Sequence, residues 1–141
     1  MESQKVMLPT LLFRAFVLIS VTLFACASLL KSIGWYNVFF QAVEDIVGGD
    51  KALHLIVAFY ISLLVSLAVN TSRRQPSTHF VNRVFICLFI SFSTDELLQL
   101  LSSYRHFSFA DLVVNYVGLL LGWGAGRLLL KTTMNDHQHR S

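Results

Sequence analysis

The sequence predicts an all-α fold: a bundle of four helices that cross a membrane. Three observations carry this expectation. The chain is 55% hydrophobic with only 13% charged residues and a mean hydropathy of +0.62, whereas about a quarter of the residues of a soluble domain are charged. Four apolar runs, at about 8–30, 51–69, 81–101 and 109–130, each approach the roughly 20 helical residues that cover a hydrocarbon core about 30 Å thick. Short polar segments separate them. At 141 residues the chain reads as a single membrane domain, 1–141, with a polar tail at 131–141.

The first run, Leu8 to Leu30, contains Arg14 as its one charge and follows Lys5. A rival reading is a cleavable secretory signal, since Lys5 precedes the run and Leu23-Phe24-Ala25-Cys26 resembles a lipoprotein cleavage box. Phe24 is too bulky for that box and the apolar run continues through Leu29-Leu30, so the segment is expected to be retained as a span. In the linker from Lys31 to Asp50, Trp35, Tyr36, Phe39 and Phe40 suit a membrane-water boundary. Val38, Phe39, Val43, Ile46 and Val47 recur at helical spacing. Two forms of this linker fit: an amphipathic helix lying on the surface, or a loop with aromatic anchors. Gly48-Gly49 ends it, and Asp50 is expected to cap the second span.

The second span is short and packs Asp50, Lys51 and His54 into its first turn. The polar turn Asn70 to Pro76 leads to the third, which carries Asp95, Glu96 and Gln99 near its end. Ser91, Ser93 and Thr94 are expected to bond to backbone carbonyls one turn back rather than to act as nucleophiles. After Tyr104, Arg105 and His106, the fourth span opens with Asp111 and Asn115 and contains Gly118, Gly122, Gly124 and Gly126. Its overlapping GxxxG patterns let another helix approach closely, either within the chain or in a second copy joined through Gly118, Gly122 and Gly126. In the tail, His137 and His139 read as solvated residues rather than ligands. Cys26 and Cys87 sit in separate apolar runs and give neither a metal spacing nor a disulfide framework.

Four spans place Lys5, Arg14, Arg73, Arg74, Arg83, Arg127, Lys131 and Arg140 on one side and Lys31, Lys51 and Arg105 on the other, eight against three of the 11 basic residues. Positive charge favours the inside, so both termini are expected in the cytoplasm. The basic residues are dispersed rather than gathered on one face, which argues against nucleic acid as a partner and leaves membrane lipids. The consequence is that Asp50, Lys51, His54, Asp95, Glu96, Gln99, Arg105, Asp111 and Asn115 share one depth, toward the outer leaflet. Ionisable groups in apolar spans are costly unless they face one another or water, and are functional candidates for that reason. Within each helix they step along one stripe: Asp50 and His54, and Asp95 and Gln99, are four apart.

A histidine among carboxylates can be oriented by one of them and serve as base or nucleophile. His54 is therefore the candidate catalytic base, with Glu96 or Asp111 as its partner. Lys51 and Arg105 would hold an anion, Arg105 with two prongs. Gln99 and Asn115 would fix the network, supported by Asp50 and Asp95. Nothing in the sequence requires a metal, but one histidine with several acids would suit a hard divalent ion better than zinc. The plainer reading is a buried polar network that ties helices together, with Asp50 and Asp111 as caps and Arg105 as a surface partner. Seven ionisable groups among nine polar positions are more than that task needs.

The set Asp50-Lys51-x-x-His54, Asp95-Glu96-x-x-Gln99 and Arg105-x-x-Ser108-x-x-Asp111-x-x-x-Asn115-x-x-Gly118-x-x-x-Gly122 resembles the signature of VanZ-like membrane proteins, over about residues 48–126. The resemblance implies a small multi-span protein of a bacterial-type cytoplasmic membrane and a link to the cell envelope. Its namesake contributes to low-level resistance to the glycopeptide antibiotic teicoplanin. It also implies a kinship with membrane enzymes acting on lipid head groups, with Lys51, His54, Glu96, Gln99, Arg105, Asp111 and Asn115 as the site. The leading expectation is thus a hydrolase or transferase for a phosphate-linked lipid head group, or a cell-wall lipid intermediate, at the outer leaflet. One alternative is a non-catalytic factor that binds such a lipid or the antibiotic. Another is a small carrier or packing subunit; the lack of an internal repeat or broken-helix pair argues against a self-contained transporter, although a homodimer could supply the missing half.

Overall fold

The computed structural model describes the backbone of residues 2–70 and 77–138 and the side chains of residues 10–70 and 77–132. The expected turn at 71–76, with Arg73 and Arg74, lies outside the described residues, as do His139 and the side chain of His137. The elements are α1 (Glu2–Ser32), α2 (Asn37–Val47), α3 (Asp50–Asn70), α4 (Thr78–Leu98), a single 3₁₀ turn (Gln99–Leu101) and α5 (Phe109–Gln138). Among the described residues, four segments are long and apolar enough to cross a membrane: Thr10–Ser32, Asp50–Asn70, Thr78–Leu101 and Phe109–Thr132. The protein is all-α, as the sequence predicts. The last helix runs past the expected boundary at Leu130 and continues to Gln138, through most of the polar tail.

α3 and α5 form the centre. Glycines make their approach close: a methyl group on Gly118 would meet the Leu55 carbonyl oxygen at 2.7 Å, one on Gly122 would fall on the Phe59 carbonyl, and one on Gly126 would meet Ser66 Oγ at 2.7 Å. All three glycines therefore face α3 of the same chain. From the other side, Ser62 Oγ donates to the Leu119 carbonyl at 2.6 Å and Ser66 Oγ to the Trp123 carbonyl at 3.3 Å. Residue numbers rise together along both helices, so the pair runs parallel, and the polar starts of α3 and α5 lie at the same end.

α4 packs antiparallel on α5 through Phe85 against Trp123 (ring centres 4.8 Å apart) and Phe89 against Tyr116 (4.7 Å), with a hydrogen bond of 2.7 Å between Ser93 and Tyr116 hydroxyls. The hydroxyls of Ser91, Ser93 and Thr94 donate to the carbonyls of Cys87, Phe89 and Ile90, as expected for hydroxyls inside a helix. α1 touches the rest sparingly, through buried Val17 and Ser20, an edge-to-face pair of Phe24 and Tyr60 and its polar C-terminal turn. Cys26 and Cys87 are free and exposed on the bundle exterior.

The linker adopts the helical alternative. α2 begins after Tyr36, held in the left-handed region at φ 57°, and ends at Gly48 at φ 99°, whose N–H bonds back to the Glu44 carbonyl. Gly49 continues the turn at φ 104°, a conformation open to glycine at little cost. Val38, Phe39 and Ile46 remain exposed along one side of α2. Asp50 departs from its expected role as a cap. It is the first residue inside α3, and its carboxylate reaches sideways instead.

Candidate functional site

Three polar groups meet at the end of the bundle formed by the close of α1, the start of α3, the close of α4 and the start of α5. In the first, the parallel register of α3 and α5 pairs side chains across the seam. Lys51 Nζ donates to Asp111 Oδ1 at 2.7 Å, and His54 Nδ1 lies 3.2 Å from Asn115 Oδ1. With that oxygen as acceptor, Nδ1 carries the ring hydrogen and Nε2 turns toward Asp50, whose Oδ1 is 3.6 Å away. Asp111 and Asn115 are buried, while the Lys51 side chain is 61% exposed. Asp50, His54 and Asp111 each offer a ligand atom within 4.8 Å of the others. Among the described residues they are the group that could hold a metal ion.

The second group closes the loop after α4. Glu96, fully buried, accepts from Gln99 Nε2 at 2.9 Å through one oxygen and from the Ser108 N–H at 3.2 Å through the other. Ser108 Oγ in turn accepts from the Asp111 N–H at 3.3 Å. Ser108 therefore takes the capping position of α5, and Asp111 is left free to meet Lys51. Glu96 clamps the two ends of the 99–108 segment, and its hydrogen bonds go to these partners rather than to His54.

The third group joins α1 to the loop. Arg105, buried despite its charge, donates from one guanidinium nitrogen to Ser28 Oγ at 3.0 Å and Ser32 Oγ at 3.4 Å, with Asp95 at 4.0 Å. This is a buried position, not the surface partnership of the plainer reading. Ser28 Oγ donates to Asp95 Oδ1 at 2.5 Å, and Ser102 Oγ to the Ser32 carbonyl at 2.6 Å. Lys31 bridges Glu44 on α2 and Asp50 on α3. Between α2 and the loop lies a cavity of about 330 Å³ whose walls include Lys31, Glu44, Asp50, Gln99, Arg105 and His106.

All nine predicted residues thus gather at one end, in three linked groups rather than one constellation around His54. Asp50, Gln99 and Arg105 line the cavity. His54, Asp111 and Asn115 sit behind Asp50, and Glu96 behind Gln99. Sequence reasoning missed Ser28, Lys31, Ser32 and Glu44. Ser28 and Ser32, four apart at the end of the first span, carried a signal in their spacing; Lys31 and Glu44 carried none beyond their place in the linker. Among the described residues no buried side-chain nitrogen or oxygen lacks a hydrogen-bond partner, as expected where an unpaired buried polar group would cost about 1–3 kcal/mol.

Fold and site together define a multi-pass membrane protein with a set of buried and half-buried polar and ionisable residues gathered at one end of the helices. Residues 11–130 match the VanZ/LLP1 family model, and the chain belongs to that family. No curated protein and no solved structure gives a significant match.

Proposed function

We propose that this protein engages the phosphate-linked head group of a membrane lipid or cell-wall lipid intermediate in the cavity between α2 and the 99–108 loop, and acts on it as a hydrolase or transferase. The observation that carries the reading is Arg105. Its side chain is 7% exposed, yet its direct partners are two neutral hydroxyls, with the nearest carboxylate at 4.0 Å. A buried cation is stable when a charge balances it; Asp95 does so at the long distance of 4.0 Å, and a phosphate in the adjoining cavity would add to that balance with the two-pronged geometry that guanidinium favours. Lys31 on the same wall is already held by Glu44 and Asp50, so the free anion site centres on Arg105.

Of the two imidazoles at this end, His54 is the candidate proton carrier, because its ring is held between helices, with Asn115 fixing it and Nε2 facing Asp50. Glu96 and Gln99 hold the loop that presents Arg105. The excess of basic residues at the opposite end of the bundle supports an outer-leaflet placement of the site, in a bacterial-type cytoplasmic membrane. The test is conversion of a panel of phosphate-headgroup lipids by the purified protein in vesicles, followed by mass spectrometry. Arg105→Gln should raise the lipid concentration needed for half-maximal conversion at least tenfold, and His54→Ala should abolish turnover. Equal conversion by parent and His54→Ala would end the catalytic part of the reading.

A second reading has its own support: a non-catalytic factor that binds such a lipid, or a glycopeptide antibiotic of the teicoplanin type, and alters susceptibility. The complete satisfaction of buried polar atoms among the described residues suits a preformed binding site that need not react. It predicts saturable lipid binding, lost in Arg105→Gln, with no product formed.

A further inference from the structure

We infer that Asp50, His54 and Asp111 form a site for one hard divalent cation of the Mn²⁺ class, seated where α3 meets α5. The inference goes beyond the lipid reading and does not need it. The first observation is the donor set: two carboxylates and one imidazole from two helices, with ligand atoms within 4.8 Å of one another. Ligands around one ion at about 2.1 Å lie roughly 3–4 Å apart, so small side-chain rotations would close the set.

The second observation is the direction of the imidazole. Asn115, almost wholly buried, lies 3.2 Å from Nδ1. Accepting the ring hydrogen there leaves the Nε2 lone pair exposed on the side of the carboxylates. Metal-bound histidines are characteristically fixed by such a bond from the other ring nitrogen. Nε2 lies 3.6 Å from Asp50 Oδ1, a separation that one ion bound to both atoms would span.

Two lysines already touch the set. Lys51 bonds Asp111 and Lys31 bonds Asp50. They compete with a cation rather than exclude it. Lys51, with its side chain 61% exposed, can turn into water at small cost. Asp50 borders the cavity, which gives an ion a route in. Two carboxylates with one imidazole favour a hard oxygen-seeking ion over a thiophilic one. With the ion in place Nε2 is a ligand, so the proton-moving role assigned to His54 would leave the ring.

The test is titration of the purified, metal-stripped full chain in detergent with MnCl₂, read by the loss of the free Mn²⁺ electron paramagnetic resonance signal and by electron spin echo envelope modulation. Expected are one bound Mn²⁺ per chain and nitrogen modulation from a directly bound imidazole. His54→Gln and Asp111→Asn should each weaken binding at least tenfold. Lys51→Gln, which removes a competitor for Asp111, should tighten it. No uptake by the parent at millimolar Mn²⁺, uptake without nitrogen modulation, or uptake unchanged in His54→Gln overturns the site. The parent's modulation decides the matter even if a variant fails to fold, and none of these readouts depends on whether lipid is converted.

Discussion

α5 and α1 are both long enough to cross a bilayer, and they are held in place by different means. A third of the apolar stretch of α5 is buried inside the bundle, against 6% for that of α1. α5 meets α3 backbone to backbone, through Gly118, Gly122 and Gly126 on one side and Ser62 and Ser66 on the other. α1 is attached by fewer and more scattered contacts: Ser28 and Ser32 to the Arg105 loop, Lys31 to Glu44 and Asp50, Phe24 to Tyr60, and Val17 and Ser20 buried midway along it. Without a hydrophobic force between helices in lipid, close packing and interhelical hydrogen bonds decide which helices associate. The α3–α5 pair therefore acts as the platform that fixes His54 against Asn115 and Lys51 against Asp111. α1 and α2 close the cavity by contacts that can be removed singly.

The sharpest way to break the comparison is to separate the platform. A leucine at Gly122 would drive its side chain into the Phe59 carbonyl, backbone that cannot step aside. Gly122→Leu is expected to destabilise the bundle by about 3 kcal/mol or more, the upper end of overpacking costs, and to prevent recovery of folded protein. Thermal unfolding in detergent, followed by circular dichroism or by solvent exposure of Trp123, gives the measure. A melting curve matching that of the parent would show that α3 and α5 do not approach as described.

The clamp between the two regions should come next. Glu96→Ala removes the acceptor of both Gln99 Nε2 and the Ser108 N–H and leaves buried donors unpaired, at about 1–3 kcal/mol each. Glu96→Gln retains one carbonyl acceptor and should lose about half as much. Hydrogen exchange of residues 99–108 should quicken in that order, while the centre of α3 keeps its protection. Smaller again is the expected effect at the α1 attachment. Ser28→Ala deletes the hydroxyl shared by Asp95 and Arg105 and should cost about 1–2 kcal/mol, since its partners are charged. It should speed exchange at the C-terminal turn of α1 and leave α5 untouched. Uniform change across all helices in Ser28→Ala would mean that α1 belongs to the platform after all.

What was legible in the sequence and what was not cuts across the division between platform and attachment. The spans were legible because an apolar run of fixed length is a physical requirement of the bilayer, and the depth shared by His54, Glu96 and Asp111 followed from antiparallel crossing. The pairing of Lys51 with Asp111 and His54 with Asn115 was not, because it depends on the axial register that glycine packing sets between α3 and α5. Glu96 was read as a partner for His54, on polarity and depth alone. Its hydrogen bonds are instead fixed by how tightly the 99–108 segment turns, and the 3₁₀ turn at Gln99 brings the Ser108 N–H back to it. Ser28 and Ser32 were hidden by α1 itself: serine is common in apolar helices, and only the arrival of Arg105 from a distant loop gives these two a role.

Gly124 supplies the smallest effect and the strictest control. It stands between Gly122 and Gly126 in the same glycine-rich stretch, and nothing outside its own helix comes within 4 Å of where its Cβ would lie. If glycine here served only to loosen α5, all three positions would respond alike to Gly→Ala. The packing predicts otherwise. Gly122→Ala should destabilise, because even a methyl group falls on the Phe59 carbonyl. Gly124→Ala should leave stability unchanged or raise it by up to about 1 kcal/mol, the helix preference of alanine over glycine. The two single-methyl variants differ by two residues in sequence and by roughly 200° around the helix. Their opposite signs in one unfolding assay would assign the glycine pattern to the face that meets α3, and matched losses would show that the face had been misread.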